Sequence, residues 1–235
     1  MHFFIYLQIS GEKKLIKTLD GIARKYGTDK RTNDEGQNIY HGYTPIYEQL
    51  FEPTRNTCQF VLELGVREGW SHQMWVDYFP NAMIYGIDNF SDITYKDNPS
   101  LIHNVYHLDL SNPRIKFFQC SQDDEAKINM FFQDTMFDII IDDGSHRSWH
   151  QQRSFKYLFP RVKSGGYYII EDLGVCGIRE FREFDDRRSS TIHWLMSMKV
   201  RDPFSYYMDK KELKNFLSEI ESVDIIGELG IIKKK

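Results

Sequence analysis

Cysteine is scarce in this 235-residue chain: Cys58, Cys120 and Cys176 stand alone, with no Cys-x-x-Cys pair. An odd, dispersed set suits a reducing, cytoplasmic setting and offers neither a disulfide framework nor a zinc site. Excess positive charge is also missing. A net charge of −4 and a pI near 6.1 argue against nucleic acid as a partner, because its backbone prefers a basic face. The three closing lysines, Lys233 to Lys235, read as a solubilising end. No long apolar run is present: the opening stretch, Met1 to Ile9, is too short to span a membrane. It also lacks a basic leader and a small-residue cleavage site, so it is expected to pack as a strand or helix, against a second copy if the chain assembles. Internal repeats and low-complexity tracts are absent. So is the Gly-x-Gly-x-x-Gly turn that cradles a pyrophosphate, which excludes the usual nicotinamide-binding arrangement.

What the chain does have is apolar strands that end in acids. Phe137-Asp-Ile-Ile-Ile-Asp-Asp-Gly-Ser-His146 is one, and Gly165-Gly-Tyr-Tyr-Ile-Ile-Glu-Asp172 is another. Short apolar runs closed by acids and glycine read as central strands of a parallel sheet, buried on both faces. Ligands of such sheets sit beyond the carboxyl ends of the strands, so Asp142, Asp143, His146, Glu171 and Asp172 are expected on one rim. Carboxylates crowded there repel one another unless something compensates, and a hard divalent cation does so while leaving positions for substrate. Histidine is the side chain suited to proton transfer near neutrality. For any one acid, helix capping or pairing with Arg153 or Arg161 is the better account; the whole set favours a metal with a base.

Upstream, Phe60-Val-Leu-Glu-Leu-Gly-Val-Arg-Glu-Gly-Trp-Ser71 reads as strand, turn and helix start. Gly65 and Gly69 would let the backbone approach a ligand closely. The next apolar strand, Ala82-Met-Ile-Tyr-Gly-Ile-Asp88, ends in an acid placed to accept from two ribose hydroxyls. A ribose without a pyrophosphate fits S-adenosylmethionine.

These pieces, in this order, resemble a class I S-adenosylmethionine-dependent methyltransferase. Within that class the chain is similar to the metal-dependent sugar O-methyltransferases of macrolide and polyketide tailoring, and to relatives named cephalosporin hydroxylases. The likeness runs through Tyr26-Gly-Thr-Asp-Lys30, His41-Gly-Tyr-Thr-Pro-Ile-Tyr47, Val61-Leu-Glu-Leu-Gly65, Tyr78-Phe-Pro-Asn81, Tyr85-Gly-Ile-Asp88, Asp142-Asp-Gly-Ser-His146, Leu158-Phe-Pro and Gly165 to Asp172. It implies that Glu63, Gly65 and Gly69 line the methionine end of the cofactor, with Ser71 nearby. It places Asp88 on the ribose, Gln122 beside adenine and Asp142 among the cofactor contacts. Asp143, Glu171 and Asp172 would bind Mg²⁺, with His146 as general base. Lys30, His41 and Tyr43 would cover cofactor or acceptor, or simply pack on the first helix. The chain departs from the family at Cys120-Ser121-Gln122, where relatives carry Gly-Asp-Gln. Glu171 and Asp172, as neighbours, would face opposite sides of a regular strand, so both reach one metal only if the chain bends there.

The implied fold is α/β and Rossmann-like: a mostly parallel seven-stranded sheet, an antiparallel C-terminal hairpin, and helices on both faces. Residues 1–235 would form one methyltransferase domain, with 1–55 as a helical cap and 56–235 as the core. Helices are expected near 11–26, 43–51, 70–79, 123–133, 147–158, 190–199 and 210–221. Strands are expected near 59–64, 82–87, 114–120, 137–142, 167–171, 222–227 and 229–234.

Residues 89–113 form a long connection carrying His103 and His107 four apart, too few ligands for zinc. Residues 174–190 mix arginines with acids, as a solvated loop or a lid would. Aromatics such as Trp70, Trp75 and Trp149 could shape a carbohydrate pocket or fill the core. The implied partner is a small-molecule or saccharide acceptor. Two rivals stand: a catechol-type O-methyltransferase acting on a planar phenol, and a non-catalytic protein retaining the fold. An iron-dependent hydroxylase would want two histidines and a carboxylate, and this rim has one histidine among acids.

Overall fold

The computed structural model describes residues 18–34, 40–90 and 112–235, together with the backbone of two short strand pieces, Tyr6–Leu7 (β1) and Lys14–Leu15 (β2). The connection containing His103 and His107 lies outside the described residues, as does most of 89–113.

Five parallel strands carry the core: β3 (Phe60–Leu64), β4 (Met83–Asp88), β5 (Ile115–Gln119), β6 (Phe137–Asp142) and β7 (Val162–Ile170). The chain closes with a hairpin of β8 (Ile220–Ile226) and β9 (Leu229–Lys234), and β9 pairs antiparallel to β7. The sheet order is β5-β4-β3-β6-β7-β9-β8, so the order reverses beside β3. A crevice opens at such a reversal, beyond the carboxyl ends of the strands.

Helices cover both faces, and side-chain alternation assigns them. Val61, Ile139, Ile141 and Ile169 face the apolar cluster built with helices α1 (Leu19–Tyr26), α2 (Thr44–Phe51) and α3 (Trp70–Tyr78). Leu62, Ile140, Tyr168 and Ile170 face the opposite cluster, with Phe155, Trp194 and Leu213. Successive strand residues point to opposite faces, and that period of two decides where every acid at the strand ends goes.

Two expected elements differ. The first helix begins at Leu19, eight residues later than expected, because the Thr18 side chain accepts from the Gly21 amide and caps it there. Lys14–Leu15, expected as helix, pairs as strand with Tyr6–Leu7. The strand expected from 167 instead starts at Val162, and its register against β6 shifts between Phe137 and Ile139. Segment 174–190 holds a short helix, Leu173–Cys176, and two 3₁₀ turns, with ion pairs of its own such as Arg188–Asp186 at 2.9 Å. Among the described residues no helix is long and apolar enough to cross a membrane.

Candidate active site

A cavity of about 730 Å³ opens beyond the ends of β3, β4 and β6. Its floor is the turn after β3. Gly65 has φ +90°, and a Cβ there would lie 2.1 Å from the carbonyl oxygen of Asp143. Gly69, at φ +79°, caps the start of α3. Both conformations suit glycine, and together they bring bare backbone up to the cavity.

Asp88 lines the cavity at the end of β4. Its Oδ2 accepts from the amides of Val66 (2.8 Å) and Arg67 (3.1 Å), and its Oδ1 from Phe90 (2.7 Å). The carboxylate thus locks the glycine turn and keeps lone pairs for a further donor. Gln122 is also in the wall. Its Nε2 donates to Asp142 Oδ1 (2.9 Å) and its Oε1 accepts from the Ser145 amide (2.7 Å).

Two expected contacts sit behind the wall. Glu63 is fully buried and accepts from Ser71 Oγ (2.7 Å) and Trp75 Nε1 (3.2 Å), so it positions Ser71, which does line the cavity. Burial pushes the Glu63 carboxyl up to about 7. Asp142 faces the other cluster and accepts from Ser154 Oγ and from Tyr168 Oη (3.2 Å). Burial raises it too, against the pull of these hydrogen bonds.

The acids divide by strand parity. Glu63, Asp143 and Glu171 share one face, and Lys30 enters from the segment after α1 to meet all three. Its ammonium contacts Asp143 Oδ2, Glu171 Oε2 at 2.7 Å and Glu63 Oε1 at 3.3 Å, the last without hydrogen-bond geometry. Lys30 is 1% exposed and also contributes to the wall of the cavity. Burial pulls its ammonium down, yet the three carboxylates win and hold it well above the usual lysine range. Tyr47 Oη donates to Glu171 Oε1 at 2.6 Å. Glu171 itself is raised well above the usual carboxylate range by burial and by Asp143, against the attraction of Lys30.

Asp172 takes a different path. Its φ of +57° bends the chain at the strand end, the bend that the sequence demanded if both neighbours were to serve one site. It lines the cavity, accepting from Tyr43 Oη at 2.7 Å, with His41 Nδ1 at 3.2 Å and His146 Nε2 at 3.5 Å. His146 also has a left-handed backbone, φ +56°, a conformation that a non-glycine residue holds only under constraint. Its Nδ1 is buried without a hydrogen-bond partner. Donor atoms of Asp143, His146 and Asp172 lie within 4.8 Å of one another. Glu171 stands in a separate group, with Glu63 and Asp143.

His150 and Ser145 line the cavity and are absent from the sequence-derived set. Ser145 Oγ is 2.5 Å from His150 Nδ1, and burial pulls the imidazole down to about 4. Asp123 faces its other nitrogen at 3.6 Å and also accepts from Ser121. The signal available was spacing: Ser145 and His150 stand five residues apart on either side of the start of the helix Ser148–Leu158.

Against known proteins, no family model matches the chain. A curated tetracenomycin-pathway 2'-O-methyltransferase, acting on the rhamnosyl sugar, from Streptomyces olivaceus is 32% identical over 187 residues, covering 75% of this chain and 43% of its own length. A tetracenomycin 3'-O-methyltransferase from the same organism is 37% identical over 163 residues, 66% of this chain and 36% of that one. Mycinamicin VI 2''-O-methyltransferase from Micromonospora griseorubida is 37% identical over 164 residues, again 66% and 36%. The chain is a relative of the sugar O-methyltransferases. Among solved structures, the MycE methyltransferase with Mg and S-adenosylhomocysteine superposes at TM-score 0.70 with 26% identity, covering 92% of this chain and 54% of that one. The fold is that of these methyltransferases. The chain spans about two fifths of the length of the curated relatives it matches and about half of the solved one.

Proposed function

We propose that the chain transfers a methyl group from S-adenosylmethionine to a hydroxyl of a sugar on a glycosylated natural product, with the help of a divalent metal. The observation that supports this most is the cavity beyond the ends of β3, β4 and β6. It brings the Gly65–Gly69 turn, Asp88 and Gln122 together with Asp143, His146 and Asp172 in a relative of sugar O-methyltransferases.

The residues fit both groups. The glycine turn would receive the amino-acid end of the cofactor, Asp88 the ribose hydroxyls, and Gln122 with Ser121 and His150 the adenine. Glu63 and Asp142 would act from behind, by holding Ser71 and Gln122. Asp143 and Asp172 would hold Mg²⁺, while Glu171, engaged by Lys30 and Tyr47, would act from behind through Lys30. When bound, the ion supplies Lewis-acid polarisation of the acceptor hydroxyl. His146 would accept the acceptor hydroxyl's proton on Nε2 as that oxygen takes the methyl group from the donor. Asp172 Oδ2 stands 3.5 Å from the same nitrogen and would take over the proton's contact once it is transferred.

The test is calorimetric titration of S-adenosylmethionine and S-adenosylhomocysteine, with and without Mg²⁺, into the wild type and Asp143→Ala. Cofactor binding with a separate Mg²⁺ heat that vanishes in the variant is expected. Binding of neither cofactor form refutes the methyltransferase reading; cofactor binding with no Mg²⁺ heat refutes the metal.

A further inference from the structure

Among the described residues, three groups of acidic and imidazole side chains bring their donor atoms within 4.8 Å of one another. Glu63, Asp143 and Glu171 already surround the Lys30 ammonium, and Asp143, His146 and Asp172 form the catalytic cluster proposed above. The third group, His41, Asp172 and Glu228, has no part in the methyl transfer. It lies where three segments distant in sequence meet: the loop ahead of α2, the end of β7 and the β8–β9 turn.

Each donor is held by contacts of its own. The His41 ring stacks on Tyr43 with centroids 5.1 Å apart and an interplanar angle of 29°, and its backbone amide donates to the Asp29 carbonyl at 2.9 Å. Asp172 Oδ1 accepts from Tyr43 Oη at 2.7 Å and stands 3.2 Å from His41 Nδ1. Two atoms that each bind one ion at about 2.1 Å, roughly 90–110° apart, are separated by about 3.0–3.4 Å, so this pair has the spacing of neighbouring ligands. Glu228 completes the set. A Cβ on Gly174 would lie 2.1 Å from Glu228 Oε1, so the glycine two residues after Asp172 leaves the space that this carboxylate fills. The Leu173 amide donates to the Glu228 carbonyl at 3.0 Å and fixes the turn beside it.

The charges here are not balanced as they are around Lys30. The concavity beside the group, about 400 Å³, is lined by His41, Tyr43 and Glu228 among others, and no lysine or arginine lines it. Two carboxylates thus share one imidazole, and a divalent cation would compensate them. A nitrogen donor suits a borderline ion such as Zn²⁺, whereas Mg²⁺ takes oxygen ligands. Three protein ligands leave a position for water.

We infer that His41, Asp172 and Glu228 form a second divalent-metal site, for an imidazole-binding ion of the Zn²⁺ class. Asp172 joins it to the Mg²⁺ site proposed above, presenting Oδ1 to His41 and Oδ2 to His146. The ion ties the loop ahead of α2 to the C-terminal hairpin across the end of β7. The site stands on its own donors, needs no cysteine and does not depend on the methyltransferase reading.

The experiment is calorimetric titration of Zn²⁺ into the full chain, free of any affinity tag, in buffer holding excess Mg²⁺. Wild type should bind Zn²⁺. Glu228→Gln and His41→Ala should each weaken that binding by about tenfold or more, roughly 1.4 kcal/mol, while His146→Ala leaves it unchanged. Glu228 is exposed in a turn and the amide keeps the shape of the acid, so this variant keeps the fold even where His41→Ala does not. Titrated with Mg²⁺ alone, Glu228→Gln should match wild type. A wild type that binds no Zn²⁺ overturns the inference, as does Zn²⁺ binding that survives in both Glu228→Gln and His41→Ala. A Mg²⁺ heat lost in Glu228→Gln would make the two sites one and overturns it too.

Discussion

Lys30→Met offers a direct test of how the acid rim is held together. The ammonium is buried among Glu63, Asp143 and Glu171, so its removal leaves three carboxylates without their counter-charge. Removing one partner of a buried ion pair costs about 3–5 kcal/mol. The loss should depend on pH, because protons can replace the missing charge. Glu63 already has its folded pKa at about 7, above the unfolded value of 4.5, and Glu171 is raised well above the same value. Acids raised in this way contribute stability that is complete below pH 4.5 and is lost as pH rises through the folded pKa. At about 1.4 kcal/mol per pH unit, Glu63 alone accounts for roughly 3 kcal/mol across that window. The lysine lowers both acids, so without it their folded values rise further and the window widens on its alkaline side. Urea unfolding in metal-free buffer at mildly acidic and mildly alkaline pH, followed by tryptophan fluorescence, measures both arms. The variant should lie within about 1–2 kcal/mol of wild type on the acidic side and fall by the full 3–5 kcal/mol on the alkaline side. A loss below about 1 kcal/mol at both pH values, or an equal loss at both, would refute the reasoning.

Two further outcomes follow from the geometry. Gly65→Ala forces a Cβ to within 2.1 Å of the Asp143 carbonyl at a φ of +90°, and should cost about 2–5 kcal/mol in urea unfolding, with loss of cofactor binding. His146→Ala should lower kcat by about 10²–10⁴ while leaving the affinity for S-adenosylhomocysteine within twofold, which single-turnover kinetics and calorimetry would separate; loss of affinity with kcat intact would remove the base assignment.

The core strands were legible because their signal is local. A run such as Phe137-Asp-Ile-Ile-Ile-Asp142 carries its burial in its own composition, and the acids that close it mark its carboxyl end. Parity was legible too, although only as a conflict: Glu171 and Asp172 had to face opposite ways. The structure resolves that conflict by dividing the acids, with Glu171 going to Lys30 and Tyr47 while Asp172 turns through a left-handed φ into the cavity. The same parity, applied across β3, β6 and β7, groups Glu63 with Asp143 and Glu171, since Glu63 lies opposite Ile141, and Ile141 opposite Ile169, two residues before each acid.

What parity cannot supply is the cation. Lys30 precedes Asp143 by 113 residues and Glu171 by 141, and nothing in Tyr26-Gly-Thr-Asp-Lys30 marks its side chain as buried. A lysine after a helix reads as solvated, and only the packing of α1 and α2 against the sheet reverses that. Only the N-terminal segment supplies the buried cation of this acid cluster, so the rim that would take the metal has its charge compensated by Lys30. The same segment brings His41 and Tyr43 to Asp172. Lys30 thus compensates the buried acids on one side, while His41 and Tyr43 contact the half-buried Asp172 on the other. This is a physical reason for the rim and the helices over it to form one unit.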